Sequence, residues 1–402
     1  MRYVNSNGNV NSNNASNSNC PRPAPAETER ANSREKPAKG GEPVKRGAHV
    51  QPTYEQIYRA WRRASRGKTA LKRYQKYKYY LDDHICAISD ELSRKDFAPR
   101  PMGVKQIYRP KPRTAQVPSV RDKIIMHALC DSYVYPAVAG ALGDCTSACL
   151  IGRGTEYGTR RAASLMRGFW REHHAAPWVL KADVHAYFAS VRRDRVADLA
   201  ERVLDDDDLL RISKAYIFYD DAETGMPLGL QQSQCYGNLY LTAIDELVAE
   251  HGYTAYGRHM DDFYVLARTR GELAGLLREI ESKLHEIGLE LNPKTEITHG
   301  RLDFLGFTHI VTQDGKYVLR LQDGKKRAKK REIRMIARKL EAGELTPEQV
   351  QTRYQGWRQR ALRAGCRNAV IEMDRCLVLR LQKAGYRTRT TMEGVTIIGK
   401  EN

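Results

Sequence analysis

Two adjacent aspartates near the middle of the chain, Asp261 and Asp262, constrain the fold more than any other feature. The segments on either side, Tyr253–Tyr256 and Phe263–Ala267, are rich in the aromatic and aliphatic residues that favour buried strands. Because aspartate tolerates tight turns, the pattern predicts a β-hairpin with Met260, Asp261 and Asp262 at or near its turn. Neighbouring carboxylates repel each other, and a hard cation such as Mg²⁺ would neutralise them. The alternative interpretation is a solvated turn that binds nothing.

The composition indicates a basic protein of two or three domains. The 402 residues include 67 Lys and Arg against 48 Asp and Glu, which gives a net charge of +19. This excess predicts a polyanionic partner, most often nucleic acid, although a basic protein without such a partner is the alternative. With no long apolar run, no apolar N-terminal signal and scattered cysteines, we expect no membrane segment and a cytoplasmic location. Zinc is disfavoured because Cys145 and Cys149 lack a second ligand pair.

Residues 1–50 are expected to form a disordered low-complexity tail. Asn, Ser, Pro and charged residues dominate this segment and leave few apolar side chains to bury. Order is expected to start with a helix capped by Thr53, followed by a second helix over about 74–94. Two short strands then flank a turn in which prolines project Lys111 and Arg113. A solvated hairpin is the alternative for this segment.

Three later segments complete the pattern. Trp178–Asp183 predicts a buried strand ending in a carboxylate that could hold a metal ion, although Asp183 could instead cap the next helix. Gly225–Gln234 predicts a Gly- and Pro-bearing loop at a helix start, where backbone amides can approach a flat ligand. From Lys325 onward the chain is expected to be helical, and Lys325–Arg363 contains 13 basic and 4 acidic residues. Such a helix is often only a solvated face, but in this chain it predicts phosphate contacts.

Taken in order, these motifs resemble a reverse transcriptase, over roughly Thr53 to Cys376. Within that family the chain looks most like bacterial enzymes of group II introns, retrons and diversity-generating retroelements. Three stretches favour the last of these: Lys111–Arg113 with Val117–Lys123, Pro227–Gly229 with Ser233–Gln234, and Gln355–Trp357. The resemblance implies an α+β right-hand polymerase fold, with fingers and palm built from an antiparallel sheet plus helices and with a helical basic thumb. The implied divisions are 1–50 for the tail, 51–180 for N-terminal helices and fingers, 181–310 for the palm, and 311–402 for the thumb and C-terminal region.

The resemblance also implies a role for individual residues. Two Mg²⁺ ions, with Mn²⁺ as a substitute, would be held chiefly by Asp183 and Asp261, with Asp262 in support and backbone groups of Ala182 and Val184. Lys294 would protonate the leaving pyrophosphate, and Leu305 and Gly306 would form the primer grip. The residues implied in binding the incoming dNTP are Lys111, Arg113, Phe188, Leu228, Gly229 and Gln234, with Phe188 excluding a ribose 2′-hydroxyl.

The sequence departs from the family pattern at two positions. His259 stands where a tyrosine usually precedes Met-Asp-Asp. Leu228 stands where glutamine is usual, and from this second departure we hypothesise relaxed nucleotide selection. The implied function is RNA-directed DNA synthesis from an RNA template, a DNA or RNA primer and dNTPs, in a diversity-generating-type retroelement. An antiphage-defence reverse transcriptase with a noncoding RNA is one alternative. A non-catalytic RNA-binding protein is another, against which the three aspartates argue. An accessory protein or a second copy of the chain would be a further partner.

Overall fold

The computed structural model describes residues 51–94, 96–108 and 112–400. The predicted tail and Lys111 therefore lie outside the described residues. Of the helices in the described part of the chain, none has the length and apolar character needed to cross a membrane.

Helices form most of the described chain, and the fifteen α-helices are α1 Tyr54–Ser65, α2 Lys72–Tyr79, α3 Leu81–Ser93, α4 Val120–Leu129, α5 Tyr135–Ala141, α6 Thr155–His173, α7 Tyr187–Ser190, α8 Arg193–Val203, α9 Asp207–Ile217, α10 Gln231–Tyr240, α11 Thr242–Glu250, α12 Arg270–Glu286, α13 Asp323–Glu341, α14 Pro347–Arg363 and α15 Arg367–Lys383. A π-helical segment, Cys130–Val134, joins α4 to α5. The strands are β1 Gly103–Ile107, β2 Arg113–Val117, β3 Trp178–Asp183, β4 Tyr256–His259, β5 Asp262–Ala267, β6 Glu296–His299, β7 Arg301–Phe304, β8 Phe307–Val311, β9 Tyr317–Leu321, β10 Tyr386–Thr391 and β11 Gly394–Lys400.

The central sheet consists of four antiparallel strands in the order β4-β5-β3-β6. Side chains alternate between its two faces, and each face packs against a different hydrophobic core. Leu180 and Val265 belong to the larger core, whereas Val179 and Tyr264 pack with α6 and the β7-β8-β9 sheet. A sheet covered on both faces holds its strand ends rigidly, which suits it to position polar groups at one edge.

The N-terminal helices agree with the prediction except in one respect. Thr53 caps α1, and its side chain and that of Gln56 bond reciprocally to each other's backbone N–H. The single helix predicted over about 74–94 is wrong, because α2 and α3 are separated at Tyr80, whose φ of −110° and ψ of 38° are not helical. The strands β1 and β2 form the predicted hairpin.

The C-terminal region has its own hydrophobic core, formed by α13, α14, α15 and the β10-β11 hairpin. The expectation that everything after Lys325 is helical is therefore wrong for the last segment. Gly385, with a φ of 77°, follows α15 and allows the chain to reverse into β10. Arg358 then fixes the hairpin tip by donating to the carbonyl oxygens of Met392 (3.0 Å) and Glu393 (2.8 Å).

Candidate active site

The two adjacent aspartates lie at the tip of the β4-β5 hairpin, as predicted. His259 pairs with Asp262 across the hairpin, which leaves Met260 and Asp261 as a two-residue turn. Met260 has a φ of 64°, a left-handed conformation that is rare for a residue with a side chain. Backbone strain of this kind is concentrated at functional sites, where the surrounding structure maintains it.

The strand β3 brings Asp183 to the same place. Asp183 is paired with Asp262 in the sheet register, and the backbone N–H of Val184 donates to the carbonyl oxygen of Asp261 (3.2 Å). Burial and the nearby negative charge of Asp183 raise the pKa of Asp261, whereas the positive charge of Arg113 acts in the opposite direction. The structure therefore places Asp183, Val184, Asp261, Asp262 and Arg113 near one another, and their roles stay predictions.

Asp262 differs from the other two aspartates because Lys181 is its ion-pair partner. Lys181 lies two residues before Asp183 on β3 and therefore points to the same face of the sheet, diagonally across from Asp262. The Lys181 ammonium also donates to the Ala182 carbonyl oxygen (3.2 Å). Burial raises the pKa of Asp262 to about 6 despite the lysine, with Asp183 and Asp261 contributing in the same direction.

This donor set fits a hard divalent cation only in part. Asp183 and Asp261 offer carboxylate oxygens, the ligand type that Mg²⁺ prefers, and their mutual repulsion is the situation that a cation relieves. Asp262 is committed to Lys181. Accordingly, the described residues contain no group of three or more His, Cys, Asp or Glu side chains arranged to hold a metal ion. Asp183 and Asp261 are the residues that fit as ligands, and Asp262 fits a supporting position.

A buried arginine, Arg258, forms hydrogen bonds that hold the hairpin turn in place. Arg258 is 1% exposed and pairs through two nitrogens with the Asp245 carboxylate. Its guanidinium also donates to the carbonyl oxygens of Met260 (3.3 Å) and Asn238 (3.2 Å) and to the hydroxyl of Thr146 (3.1 Å). One side chain therefore connects the strained turn to three other segments of the chain.

His259, at the position where the family usually has tyrosine, forms a hydrogen bond with Ser147 and not with the aspartates. Its Nδ1 lies 2.9 Å from the hydroxyl oxygen of Ser147, and that hydroxyl donates to the Arg258 carbonyl oxygen (3.0 Å). Burial lowers the pKa of His259, which favours the neutral ring at physiological pH. The substitution therefore adds a hydrogen bond to the support of the hairpin and places no positive charge beside the aspartates.

Phe188, the predicted ribose-excluding residue, packs against α10. A Cβ added to Gly237 would lie 3.1 Å from the Phe188 ring and 3.5 Å from the Met260 sulfur, so the three residues are in close contact. The backbone carbonyl oxygen of Leu228 accepts from the N–H of Gln116 (2.8 Å). Gly229 has a φ of 111° and approaches the Gln116 carbonyl too closely for any side chain. The Leu228–Gly229 loop is thereby attached to β2, the strand that carries Arg113.

The predicted primer grip is the turn between β7 and β8. Leu305 and Gly306 have φ values of 52° and 88° and connect the paired residues Phe304 and Phe307, as in a two-residue hairpin turn. The Leu305 side chain packs against α6 at Gly158, where an added Cβ would lie 2.6 Å from it. This turn is therefore held against the helix that also contacts Ser147.

Two further predicted residues, Lys294 and Gln234, form hydrogen bonds to residues other than the aspartates. Lys294 is exposed, and its backbone N–H donates to the Asn292 side chain (3.1 Å). Gln234 is exposed at the start of α10, and its side-chain oxygen lies 3.5 Å from the sulfur of Cys149. Their roles stay predictions.

Sequence reasoning missed Lys181, Arg258 and Asp245. A signal was available for Lys181, because a cation two residues before Asp183 in an apolar strand shares the aspartate's face of the sheet. A cation between Gly257 and His259 in a buried strand was a weaker signal for Arg258. Nothing local identifies Asp245 as its partner, because that contact depends on how α11 packs.

Comparisons with known proteins identify the domain. The family model of reverse transcriptases (RNA-dependent DNA polymerases) matches residues 112–309, a range that includes Asp183, Asp261 and Asp262. No curated protein matches the chain at a significant level.

Solved structures that match include three structures of two telomerases. Apo telomerase from Candida tropicalis has 10% identity and a TM-score of 0.45, over 70% of this chain and 65% of that one. The same telomerase truncated from its C-terminal domain has 11% identity and a TM-score of 0.41, over 54% of each chain. Candida albicans telomerase in complex with a TWJ fragment of telomeric RNA has 10% identity and a TM-score of 0.43, over 71% of this chain and 61% of that one. The chain thus spans between 54% and 65% of the length of these telomerases. Residues 112–309 thus match a reverse transcriptase domain and have the α+β polymerase fold, and this match supports an RNA-directed DNA polymerase, which is a nucleotidyltransferase.

Proposed function

We propose that this protein synthesises cDNA on an RNA template by nucleotidyl transfer at Asp183 and Asp261. The observation that carries the proposal is the convergence of these two half-buried carboxylates at one edge of the sheet, beside the positive charge of Arg113. When bound, two Mg²⁺ ions, or Mn²⁺ in their place, would activate the primer 3′-hydroxyl and neutralise charge on the leaving pyrophosphate. Lys181 would favour the ionised form of Asp262 and hold it beside the two ligands.

The surrounding residues would bind and orient the substrates. Arg113, together with Lys111, would bind the triphosphate of the incoming dNTP, while Phe188 would exclude a 2′-hydroxyl. Leu228, Gly229 and Gln234 would face the base pair that is being formed. Leu305 and Gly306 would hold the primer end, and Lys294 would donate a proton to pyrophosphate. In this assignment residues 51–180 are the N-terminal helices and fingers, 181–310 the palm, and 311–402 the thumb and C-terminal region.

Primer extension on a primed RNA tests the proposal directly. Asp183→Asn and Asp261→Asn should each reduce dNTP incorporation by at least about 10³-fold, because each removes a metal ligand without a change in size. Binding of the primed RNA should stay within about twofold of wild type. Asp221→Asn, an exposed control, should be fully active. Incorporation that persists in Asp261→Asn, or a wild-type protein that binds RNA without incorporating dNTPs, would refute the proposal. The second result would favour a non-catalytic RNA-binding protein.

The biological setting is a finer proposal. We favour error-prone synthesis in a diversity-generating-type retroelement, because an aliphatic residue, Leu228, stands where glutamine is usual. Misincorporation opposite template adenine should be lower in Leu228→Gln than in wild type. Equal error rates in the two proteins would contradict this idea. An antiphage-defence enzyme that works with a noncoding RNA is the alternative. Sequencing the RNA and cDNA that copurify with the protein would separate the two, since only the first predicts cDNA from a template repeat. The same preparation would reveal an accessory protein or a second copy of the chain.

A further inference from the structure

Helix α2 carries a concentration of positive charge that the packing of the fold does not account for. Its eight residues include four cations and no acid in the first turn, and Tyr74 is its one buried residue. Lys72 and Lys76 are one turn apart, a spacing at which like charges destabilise a helix. A short helix that buries so little and repels itself is more readily explained by a partner that it binds.

Three cations converge beside this helix, and we call Lys68, Arg73 and Lys123 the cation cluster. The Lys68 ammonium lies 5.7 Å from the ring centroid of Tyr74, and the Arg73 guanidinium lies 5.5 Å from the same centroid. Lys123, half-buried in the first turn of α4, lies near both Lys68 and Arg73. Burial, followed by these two neighbouring charges, lowers the pKa of Lys123 to about 8.

The nearby acids are engaged elsewhere. Asp131 pairs with Arg63, and both Glu91 and Asp122 pair with Arg121. Within the described residues, no carboxylate forms an ion pair with any member of the cation cluster. Three cations held together without an anion are unfavourable in the free protein, and a phosphate placed among them would reverse the sign of that interaction.

Exposed aromatic rings lie at the end of the same helix. Tyr79 is 80% exposed and Tyr80 is 49% exposed, and their ring centroids are 4.7 Å apart in an edge-to-face arrangement. Exposure to water does not stabilise large aromatic side chains, but these side chains provide stacking surfaces for unpaired bases. Cations for the backbone next to rings for the bases are the combination that proteins use to bind single-stranded nucleic acid.

We propose that the cation cluster binds a backbone phosphate of single-stranded RNA, with Tyr79 and Tyr80 stacking on its bases. This inference rests on the proposed function in assuming RNA as the polyanion, but the site lies on α2, the turn before it and α4, and includes none of the residues assigned to catalysis. It would serve as a docking surface for unpaired RNA outside the catalytic centre.

The test is a triple variant, Lys68→Gln, Arg73→Gln and Lys123→Gln, measured for affinity to a single-stranded RNA without metal or dNTPs. Affinity should fall at least about tenfold, and the slope of log K against log salt should decrease by about 0.7, as expected when one phosphate contact to a single strand is lost. A matched variant, Arg268→Gln, Arg270→Gln and Arg278→Gln, removes the same charge at α12, beyond the end of β5 opposite the aspartates. It should change both quantities much less.

Stability provides a second readout that a purely structural role would not reproduce. Because the free cluster is repulsive, Lys123→Gln should raise the melting temperature while it weakens RNA binding. A residue that only maintained the fold would change both in the same direction. Tyr79→Ala with Tyr80→Ala should weaken binding about tenfold without altering the salt slope, because stacking releases no counterions.

Two results would overturn the proposal. One is an RNA affinity and salt slope in the triple variant equal to those of the α12 control. The other is stabilisation of the wild type by pyrophosphate that is lost in the triple variant while RNA affinity is unchanged, which would assign the cluster to a free phosphate. Both are binding measurements without catalysis, so they are distinguishable from a failure of primer extension, which would instead refute the proposed polymerase activity.

Discussion

The guanidinium of Arg258 donates a hydrogen bond to the backbone carbonyl oxygen of Met260 (3.3 Å), the residue with a φ of 64° in the turn that presents Asp261. Arg258 is itself held by the Asp245 carboxylate in the interior. The position of the turn that carries Asp261 therefore depends on an ion pair that would not contact the proposed substrates. This makes Arg258 a positioning residue for the proposed reaction.

Replacing Arg258 with lysine should separate positioning from charge. Lysine keeps the positive charge beside Asp245 but lacks the planar fork that reaches Met260, Thr146 and Asn238. We expect the kcat of primer extension to fall by about 10- to 100-fold with little change in the KM for dNTP, because the geometry of the carboxylates is altered. Arg358→Lys is a matched control, since Arg358 is also buried and pairs with Asp374 in the C-terminal core. Equal losses of kcat in the two variants would indicate a general loss of stability.

Gly158 is predicted to couple the primer grip to the hairpin. A Cβ at this position would lie 2.6 Å from Leu305 Cδ1 and 2.8 Å from the hydroxyl of Ser147, which bonds to His259. Gly158→Ala should therefore lower the free energy of unfolding by about 1–3 kcal/mol and raise the KM for the primer. Gly168→Ala in the same helix meets nothing within 4 Å and should be neutral or stabilising by about 0.5–1 kcal/mol. Thermal melts and primer titrations of the two variants provide the comparison, and matching behaviour would argue against the coupling.

Gly237 is predicted to set the position of Phe188. The Cβ of an alanine would lie 3.1 Å from the Phe188 ring, so the ring must move by a few tenths of an ångström. If Phe188 excludes ribonucleotides, Gly237→Ala should change the ratio of kcat/KM for dNTP over rNTP by about tenfold or more. The control is Gly275→Ala in α12, where an added Cβ meets nothing within 4 Å. Unchanged sugar discrimination in Gly237→Ala would show that Phe188 is not in contact with the ribose.

The candidate site could be predicted from the sequence where the signals are local. The Asp261 turn, the strand that ends at Asp183 and the Leu305–Gly306 turn each follow from short patterns of aromatic, aliphatic and turn-forming residues. The break at Tyr80 was missed because the apolar stripe continues through it. In that case helical periodicity is preserved although the backbone changes direction.

Contacts between distant segments could not be predicted. Lys181 meets Asp262 because β3 and β5 pair in one particular register, and a shift of one residue would place the lysine on the opposite face. Arg258 reaches Thr146, 112 positions earlier in the chain, because a β-bridge aligns the two segments. Such partners are determined by the packing of whole elements, and residue periodicity contains no information about them.

His309 on β8 is predicted to make the protein sensitive to mild acid. Its side chain is fully buried, its Nδ1 lies 2.8 Å from the Tyr317 hydroxyl oxygen, and its Nε2 has no hydrogen-bond partner among the described residues. Burial lowers the pKa of His309 from 6.5 to about 4, so the folded protein keeps the ring neutral where the unfolded chain would protonate it. The associated stability is fully present above pH 6.5 and is lost as the pH falls towards 4, by on the order of 3 kcal/mol.

Urea unfolding of wild type and His309→Gln at pH 7.0 and 4.5 should show a smaller loss of unfolding free energy in the variant, whose side chain cannot be protonated. His299→Gln, at an exposed position on β6, should lose as much stability as wild type. Equal losses in wild type and His309→Gln would mean that His309 does not control the acid sensitivity.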